Sequence, residues 1–329
     1  MTRFTVFGAG AAGTALAIHL ARKGEEVTVW GSEYDAGVLP DLIEKRSHPS
    51  LPERLPAAIR VLGPDDLDDA GKDADLGVLA ANSRGARSLA RMVKGALPAE
   101  MGVVSITKGL EPQSFARMSQ VYGEETERPV VAVSGPMLAP ELAEGWLTAV
   151  VFASEHPDLL ERTAVACRSE AYVVDTTDDV IGTEICGTAK NVAAIAAGVL
   201  EGLAESRQRD LKNARAALFT RAVHEIAELV ETMGGRRETA LGLAGAGDLL
   251  VTSLGGRNRA YGHAIGLGAE PQHTLEDMTS RGMTVEGAAS ANEVHHLSEE
   301  NGLDLPIHDM VFRIVHEGED PKSILEAIA

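Results

Sequence analysis

Residues 4–30, FTVFGAGAAGTALAIHLARKGEEVTVW, decide the fold of this chain. An apolar run, Phe4–Phe7, is followed by the glycine-rich turn Gly8–Gly13, a helical stretch that ends at Lys23-Gly24, and a second apolar run, Val27–Trp30. This order predicts a strand, a glycine turn, a helix and a second strand. In such a unit the pyrophosphate of a dinucleotide lies on the N-terminus of the helix, so the stretch predicts dinucleotide binding.

Three glycines of the turn have separate physical roles. We expect Gly8 to allow the tight turn, Gly10 to let a pyrophosphate approach the backbone, and Gly13 to allow close packing between helix and strand. An ordinary tight turn is the alternative for a glycine pattern alone. The strand before this pattern and the helix after it favour the dinucleotide site.

The helix and the second strand carry further local signals. Ala12, Leu16 and Leu20 recur every four residues, which predicts a buried stripe along the helix. Ser32 and Glu33 follow the second strand, where a dinucleotide-binding fold meets the adenosine ribose. An acid there favours NAD and a nearby arginine would favour NADP, so the pattern favours NAD. NADP binding and a solvated role for Glu33 remain alternatives.

The length and composition indicate how many domains to expect and which kinds of binding surface are disfavoured. At 329 residues the chain exceeds the roughly 250–300 residues at which one hydrophobic core stops growing, so we expect two domains. Lys and Arg number 30 against 49 Asp and Glu, and the net charge of −19 argues against a nucleic-acid or membrane surface.

The cysteines, Cys167 and Cys186, are expected to be buried thiols. With no apolar leader or long apolar run, we expect a soluble, unanchored, cytoplasmic protein.

Short apolar runs continue to alternate with helical segments after the second strand. This alternation predicts an α/β fold of the Rossmann type, with a doubly wound and mostly parallel sheet. The further predicted strands are Arg60–Leu62, Leu76–Ala80, Val103–Ile106, Val130–Val133, Ala149–Phe152 and Tyr172–Val174.

Three of these strands are followed by polar or glycine residues, at the sheet edge where ligands of such folds bind. They are Ala80–Ser83 after the fourth strand, Thr107-Lys108-Gly109 after the fifth and Ser134-Gly135-Pro136 after the sixth. Lys108 stands out because a cation at this edge can bind a phosphate or polarise an oxygen. A solvated loop lysine is the alternative, and the location favours the functional role.

The pattern changes near Thr183, and the chain beyond it reads as helical. We therefore predict a dinucleotide-binding domain over residues 1–185 and an all-α C-terminal domain over residues 186–329. Val192–Leu203 is apolar on nearly every side, as expected for a helix in the centre of an α domain or at a dimer contact. We expect a homodimer.

Lys190 is predicted to begin this apolar helix. Partial burial would lower the pKa of its amine and suit it to exchange a proton with a hydroxyl near neutral pH. A structural salt bridge with Glu184 is the alternative, and spacing alone does not decide between the two.

Two glycine-rich loops, Gly245–Asp248 and Gly255–Arg259, are predicted within the helical region. Such loops bring backbone N–H groups close to a small ligand, and Arg257 offers a planar fork that matches a phosphate. Ordinary surface turns are the alternative. The ten histidines show no spacing typical of metal ligands, so no metal is predicted.

Several motifs occur together in a specific order. They are Gly8–Gly13 with Thr14-Ala15-Leu16-Ala17, Leu51-Pro52, Thr107–Glu111, Ser134-Gly135-Pro136, Ala189-Lys190-Asn191-Val192, Gly247-Asp248-Leu249, Gly256-Arg257-Asn258 and Val285-Glu286-Gly287. Over nearly its whole length the chain resembles the NAD(P)-dependent glycerol-3-phosphate dehydrogenase family. The resemblance implies a Rossmann domain plus a helical domain, with NAD or NADP as cofactor. It implies interconversion of glycerol 3-phosphate and dihydroxyacetone phosphate, a small phosphorylated substrate, by hydride transfer.

The resemblance also implies roles for single residues. Lys190 matches the proton-transferring lysine of the family. The residues that match positions around the substrate are Lys108, Gly135, Asn191, Asp248, Thr252, Gly256, Arg257 and Asn258. The residues that match positions around the cofactor are Gly8, Gly10, Ala11, Ala12, Gly13, Ser32, Lys108, Ala139, Arg257, Thr284 and Glu286.

The chain departs from the usual family pattern at three places. Ala80–Ser83 stands where a Val-Pro-Ser type turn is usual, Met137–Ala139 stands where Ser-Phe-Ala is usual, and Ser32 replaces a basic residue. A related dehydrogenase of another phosphorylated polyol or a 3-hydroxy acid therefore remains an alternative, as does a non-catalytic NAD(H)-binding redox sensor. Ala194 argues against the 3-hydroxy acid enzymes, which usually carry an asparagine there. The retained lysine and phosphate-binding residues argue against a sensor.

Overall fold

The structure is a computed structural model that describes every residue from Met1 to Ala329, and it divides into two units, Met1–Val180 and Ile181–Ala329. The strands, all in the first unit, are β1 (Arg3–Phe7), β2 (Glu26–Trp30), β3 (Arg60–Leu62), β4 (Leu76–Leu79), β5 (Gly102–Ser105), β6 (Val130–Ser134), β7 (Thr148–Ala153) and β8 (Tyr172–Thr177). The helices of that unit are α1 (Ala11–Lys23), α2 (Leu67–Gly71), α3 (Ala86–Val93), α4 (Met118–Thr126), α5 (Ala139–Glu144) and α6 (Pro157–Cys167).

The second unit is helical throughout. Its helices are α7 (Val180–Ser206), α8 (Lys212–Thr232), α9 (Arg237–Leu241), α10 (Asp248–Leu254), α11 (Arg257–Gly266), α12 (Pro271–Ser280), α13 (Glu286–Asn301), α14 (Pro306–Phe312) and α15 (Ile324–Ile328). The division between the units therefore lies in the first turn of α7. No helix of the chain combines the length and apolar character needed to cross a bilayer.

The eight strands form one sheet in the order β3-β2-β1-β4-β5-β6-β7-β8. Neighbouring strands run parallel except β6 and β7, which run antiparallel. The prediction of a doubly wound, mostly parallel sheet is confirmed. The strand order reverses at β1, which has β2 on one side and β4 on the other. Ligands of such sheets bind outside the carboxyl ends of the strands at this reversal.

Helices cover both faces of the sheet, so β1 is buried on both sides. Val6 belongs to a core that includes Leu16 of α1, whereas the next residue, Phe7, belongs to a second core with Trp30. The rings of Phe7 and Trp30 meet edge to face with centroids 6.1 Å apart. Because successive side chains of a strand point to opposite faces, burial on both faces explains why the strands read as continuous apolar runs.

The predicted order of strand, turn, helix and strand at the N-terminus is confirmed. Helix α1 ends at Gly24, whose φ of 98° is left-handed and whose N–H donates to the carbonyls of the last turn. Leu16 and Leu20 are buried as predicted. Ala12 is exposed, so its place in the predicted buried stripe is wrong. It lies in the first turn of α1, beside the open space in front of Gly10.

Helix α7 is longer than the sequence pattern suggested. It has 27 residues and Lys190 lies near its middle, so the prediction that Lys190 begins a helix is wrong. Thr183, Gly187 and Thr188 looked like a break in the pattern, but they are helical and buried. A buried helix accepts such residues because a threonine hydroxyl can donate to the carbonyl of the preceding turn. Thr188 does so, with its Oγ1 at 3.0 Å from the carbonyl oxygen of Glu184.

Helices α7 and α11 cross at four glycines. A Cβ on Gly198 would lie 2.2 Å from the carbonyl oxygen of Arg259, and a Cβ on Gly262 would lie 2.1 Å from that of Ile195. Both distances are too short for any side chain. The glycines of the crossing are Gly198 and Gly202 on α7 and Gly262 and Gly266 on α11. The two backbones are therefore in direct contact, which fixes how the polar residues of α7 and α11 face one another.

The two predicted glycine-rich loops are mostly helical, so that prediction is wrong. Residues 243–247 form a π-helical turn that continues into α10, and Arg257–Arg259 is the start of α11. A Cβ on Gly245 would lie 2.1 Å from the carbonyl oxygen of Ala240. Glycine is needed there for close packing against α9 rather than for a loop.

Both cysteines are free and buried, as predicted. Burial raises the pKa of Cys167 to about 12, so this thiol is not a nucleophile at neutral pH. No cluster of three or more His, Cys, Asp or Glu side chains is arranged to hold a metal ion.

Candidate active site

The first candidate region is the turn between β1 and α1. Gly8 has a left-handed φ of 109°, and its N–H donates to the carbonyl oxygen of Trp30 at 2.8 Å. A Cβ on Gly8 would lie 2.7 Å from the carbonyl oxygen of Ala80, and a Cβ on Gly13 would lie 2.9 Å from the Cβ of Ala80. The turn thus passes directly against the residue that follows β4, and only glycine fits at these two positions.

Gly10 is in a different situation from the other two glycines. It is the N-cap of α1, with extended φ and ψ of −67° and 166°, and no side chain caps the helix. A Cβ on Gly10 would have no neighbour within 4 Å. The N–H groups of the first turn, which begins with Ala11 and Ala12, are therefore available to an anion at the positive end of the helix dipole. This cradle fits a dinucleotide pyrophosphate, which a side chain at residue 10 would obstruct.

A carboxylate that the sequence analysis missed lies beside this turn. The Oδ1 atom of Asp35 accepts from the N–H of Ala9 at 3.1 Å. Its Oδ2 atom accepts from the N–H of Ser32 at 2.9 Å and from the Ser32 hydroxyl at 3.1 Å. Glu33, the acid that the sequence analysis considered, is exposed. The Ser-x-x-Asp spacing of a capping box, from Ser32 to Asp35, was the signal that could have revealed Asp35.

His48 faces the same carboxylate but does not neutralise it. It is buried, and burial lowers the pKa of its imidazole, with Asp35 and the backbone of Ala9 acting in the opposite direction. Its Nδ1 accepts a hydrogen bond from the N–H of Ser50 at 3.0 Å, as a neutral imidazole does. A fixed negative charge therefore lies next to the glycine turn, where an adenosine ribose would bind.

Hydrogen bonds join the loops that follow β4, β5 and β6. The Thr107 hydroxyl donates to the carbonyl oxygen of Ala81 at 2.9 Å, and the Nζ of Lys108 donates to the carbonyl oxygen of Gly135 at 3.0 Å. A Cβ on Gly109 would lie 3.2 Å from the side chain of Ser83. The amine of Lys108 is thus held over the carboxyl edge of the sheet.

The second unit holds the other candidate region, centred on Lys190. Its side chain is 7% exposed, and its Nζ donates to the Thr252 hydroxyl at 2.8 Å. The same Nζ lies 3.3 Å from Oδ1 of Asp248, whose side chain is 2% exposed. Thr252 Oγ1 lies 3.4 Å from that same carboxylate oxygen. Helix α10 therefore supplies two polar groups that fix the position of one buried amine.

Two further helices, α11 and α13, are hydrogen-bonded to α7 at Asn191, the residue that follows Lys190, or through its partner Asn258. The Nδ2 of Asn258 donates to Oδ1 of Asn191 at 2.9 Å, and the Nδ2 of Asn191 donates to the carbonyl oxygen of Gly187 at 3.2 Å. The N–H of Gly287 donates to Oδ1 of Asn258 at 3.0 Å. These amides link α7, α11 and the first turn of α13. Asn191 and Asn258, which follow Lys190 and Arg257 in the sequence, are therefore held together by a hydrogen bond.

Arg257 combines an exposed side chain with a fixed backbone. It is the first residue of α11, and the N-cap residue Gly256 has a left-handed φ of 100°. Asn258, which follows it, is buried and hydrogen-bonded on both sides. A helix N-terminus next to a guanidinium suits a phosphate, because both backbone N–H groups and the planar fork can donate to its oxygens.

The two units hold different parts of the predicted site. The first unit contains Gly8, Gly10, Ala11, Ala12, Gly13, Ser32, Lys108, Gly135 and Ala139. The second unit contains Lys190, Asn191, Asp248, Thr252, Gly256, Arg257, Asn258, Thr284 and Glu286. Ala139 is the first residue of α5, Thr284 is exposed, and Glu286 is the first residue of α13.

Comparison with known proteins gives a consistent result along the whole chain. The family model for the N-terminus of NAD-dependent glycerol-3-phosphate dehydrogenase matches residues 3–160, and the model for its C-terminus matches residues 179–326. Glycerol-3-phosphate dehydrogenase (NAD(P)+) from Clostridium botulinum is 34% identical over 330 residues, which cover 100% of this chain and 97% of that protein.

Two further similarities come from an archaeal relative and a solved structure. NADP(+)-dependent glycerol-3-phosphate dehydrogenase from Archaeoglobus fulgidus is 32% identical over 335 residues, which cover 99% of this chain and 98% of that protein. Glycerol-3-phosphate dehydrogenase from Coxiella burnetii, whose crystal structure is known, has 31% sequence identity to this chain and a TM-score of 0.88. The match covers 99% of this chain and 98% of that one. This chain belongs to the NAD-dependent glycerol-3-phosphate dehydrogenase family.

Proposed function

We propose that this protein interconverts glycerol 3-phosphate and dihydroxyacetone phosphate, with NAD(H) or NADP(H) as the hydride carrier. Family membership supports this activity. The observation that carries the proposal is the buried Lys190, whose Nζ lies 2.8 Å from the Thr252 hydroxyl and 3.3 Å from the Asp248 carboxylate. Reduction of a ketone needs such a group because the oxygen must receive a proton.

The reaction transfers one hydride and one proton. A reduced dinucleotide held by the turn around Gly10 would supply the hydride that carbon 2 of dihydroxyacetone phosphate receives. Lys190 donates a proton from its Nζ to the oxygen of carbon 2, and in the reverse direction its neutral amine accepts the hydroxyl proton. Burial favours the neutral amine and Asp248 favours the ammonium form, so these two influences oppose each other at the same nitrogen. The hydrogen bond to Thr252 fixes the orientation of the Lys190 amine. A fixed orientation supports proton transfer because fewer unproductive orientations are available.

We assign the phosphate of the substrate to Arg257 and the start of α11. The exposed guanidinium and the helix N-terminus supply several donors to an anion in a protein of net charge −19. Following the family resemblance, the other proposed substrate residues are Lys108, Gly135, Asn191, Asp248, Thr252, Gly256 and Asn258.

We assign the pyrophosphate of the cofactor to the turn around Gly10, where the open space and the helix N-terminus suit an anion. The proposed cofactor residues are Gly8, Gly10, Ala11, Ala12, Gly13, Ser32, Lys108, Ala139, Arg257, Thr284 and Glu286. On this proposal residues 1–185 hold the pyrophosphate and ribose of the dinucleotide, and residues 186–329 supply the proton-transferring lysine and the remaining cofactor residues, Arg257, Thr284 and Glu286. We add Asp35 as a group that disfavours the extra phosphate of NADP, because its charge is fixed beside Ala9 and Ser32.

We propose further that the enzyme works as a cytoplasmic homodimer without a nucleic-acid partner. Two buried free thiols suit a reducing compartment, and a net charge of −19 disfavours nucleic acid. Sedimentation velocity of the purified protein should give the mass of two chains. A concentration-independent mass of one chain would contradict the dimer.

The test of the activity follows the absorbance of NADH and NADPH in the presence of dihydroxyacetone phosphate. We expect oxidation of the reduced nicotinamide that depends on both enzyme and substrate. Dihydroxyacetone, which lacks the phosphate, and acetoacetate, a 3-oxo acid, are the matched controls and should react far more slowly. No oxidation with dihydroxyacetone phosphate at high enzyme concentration would overturn the proposal and favour an NAD(H)-binding sensor. Faster oxidation with acetoacetate would favour a 3-hydroxy acid dehydrogenase.

A further inference from the structure

A second cluster of buried polar side chains lies in the helical unit, and the proposed reaction does not use it. Glu225 on α8 and His308 on α14 are 5% and 1% exposed. The Nδ1 of His308 lies 2.6 Å from Oε2 of Glu225, and its Nε2 lies 3.2 Å from the carbonyl oxygen of Ala189 on α7. The His308 imidazole thus connects α14 to α8 and α7, and its contact on α7 is the carbonyl group of the residue that precedes Lys190.

The contacts of Glu225 fit an ionised carboxylate. Its Oε1 accepts from the N–H of Ile307 at 3.0 Å, and its Oε2 accepts from the N–H of His308 at 3.1 Å. These two N–H groups belong to the first turn of α14, which begins at Pro306. Both backbone partners are donors, and an ionised carboxylate is an acceptor at each oxygen.

The contacts of His308 fit a ring that carries both protons. Each ring nitrogen faces an oxygen, one of the Glu225 carboxylate and one of the Ala189 carbonyl. A neutral imidazole has a single N–H, so one of these contacts would set a nitrogen lone pair against an oxygen lone pair. An imidazolium donates to both oxygens, and the carboxylate beside it balances its charge.

We propose that His308, held as an imidazolium by Glu225, is a positioning residue for Lys190. The carbonyl of Ala189 and the N–H of Lys190 belong to one planar peptide unit. A hydrogen bond from Nε2 to that carbonyl therefore fixes the plane to which the Cα of Lys190 is attached. Glu225 fixes the ring and the start of α14 together, so the ring cannot turn without breaking contacts on both. This inference rests on the proposed role of Lys190 in proton transfer.

The helical unit offers a matched comparison. His295 on α13 pairs with Asp309 on α14, with Nδ1 and Oδ1 2.9 Å apart, and its ring stacks on Phe312. This pair has the same chemistry as His308 and Glu225 and also holds α14, but it links that helix to α13. If the loss of a pair acted only by destabilising α14, substitution of His295 and substitution of His308 should lower activity alike. If His308 positions Lys190, only substitution of His308 should lower it.

The test uses two amide variants of the full chain that keep different donors of the ring. In His308→Gln the amide NH₂ occupies about the place of Nε2 and can still donate to Ala189, whereas in His308→Asn it occupies about the place of Nδ1 and can donate only to Glu225. We expect kcat for dihydroxyacetone phosphate to fall about tenfold in His308→Asn, because the loss of a hydrogen bond worth about 1.4 kcal/mol lowers a rate about tenfold. In His308→Gln, kcat should stay within about threefold of wild type. The KM for NADH should be unchanged in both, and His295→Gln should keep the wild-type kcat. Equal kcat values in the two His308 variants would overturn the proposal.

Nitrogen-15 NMR of the full chain supplies a readout that does not depend on activity. Both ring nitrogens of His308 should show imidazolium shifts in the wild type at neutral pH, and Glu225→Gln should convert them to those of a neutral ring. The amide shift of Lys190 should change in His308→Asn and stay close to wild type in His308→Gln. A neutral ring in the wild type would overturn the proposal even if His308→Asn fails to fold. A wild type without activity on dihydroxyacetone phosphate would instead refute the proposed function, and the ring shifts would still decide whether the charged bridge exists.

Discussion

The glycine turn of the first unit and the lysine cluster of the second are built in different ways. The turn uses consecutive residues, Gly8–Gly13, and its shape follows from backbone contacts that only glycine allows. The lysine cluster joins Lys190 to Thr252, which lies 62 residues further along the chain, and it exists only because α7 and α10 pack together. A short motif is thus enough to prepare an anion cradle. A buried amine needs the packing of a whole helical unit to hold its charge.

The largest effect should come from removing the amine of that cluster. Lys190→Met keeps most of the side-chain volume but removes the proton carrier, so kcat should fall by about 10²–10⁴-fold, the usual worth of general acid–base catalysis. Steady-state kinetics with dihydroxyacetone phosphate measures kcat, and calorimetry measures the Kd for NADH. If the two regions act separately, that Kd should stay near the wild-type value. A near-normal kcat would show that Lys190 is not the proton carrier.

The reverse experiment changes the glycine turn and leaves the lysine cluster alone. Gly10→Val places a side chain in the open space before α1, so the Kd for NADH should rise at least about tenfold through loss of pyrophosphate contacts. Gly63→Val is the matched control, because a Cβ on Gly63 also has no neighbour within 4 Å. Calorimetry should show wild-type affinity for the control. Equal affinities of the two variants would mean that the pyrophosphate binds elsewhere.

A third experiment tests whether the helical unit anchors the substrate separately from the chemistry. Arg257→Lys keeps the charge but loses the planar fork, so KM for dihydroxyacetone phosphate should rise about tenfold, in line with roughly 1.5–3 kcal/mol for a charged hydrogen bond. The slow reaction with unphosphorylated dihydroxyacetone should change little. Arg281→Lys is a control, because Arg281 is exposed and pairs with Asp277 in α12. An unchanged KM in Arg257→Lys would remove the phosphate assignment.

The smallest expected effect concerns the choice between NADH and NADPH. Asp35→Asn removes the negative charge beside Ala9 and Ser32, so the preference for NADH over NADPH in kcat/KM should decrease by roughly fivefold, from a charge interaction of about 1 kcal/mol. Glu33→Gln makes the same change of charge at an exposed neighbour and should have a smaller effect. If Glu33→Gln changed the preference more than Asp35→Asn, the exposed acid would be the discriminating group.

Much of the first unit could be predicted from the sequence because its signals are local. The strand before Gly8 and the helix that ends at Gly24 are each read from a few adjacent residues. The missed carboxylate, Asp35, acts through a hydrogen bond to Ala9, a contact across 26 positions that no short window displays. The capping-box spacing marked the turn but not its contact with the glycine loop.

The second unit could be predicted less well because its contacts are tertiary. Thr183 and Gly187 suggested that no helix runs through this stretch, yet they lie inside α7, just after the division between the units, and burial on all sides hides the usual helical periodicity. Gly245 looked like part of a loop because the sequence does not show how closely another helix approaches. The pair of Glu225 and His308 joins residues 83 positions apart and has no sequence motif.

Isotope transfer tests the central claim most directly. The wild-type enzyme is incubated with dihydroxyacetone phosphate and NADH that carries deuterium at both positions of carbon 4, and the product is analysed by mass spectrometry and NMR. We expect glycerol 3-phosphate with one deuterium, located on carbon 2, and much slower formation of the same product by Lys190→Met. Absence of glycerol 3-phosphate, or glycerol 3-phosphate without deuterium on carbon 2, would contradict direct hydride transfer by this protein.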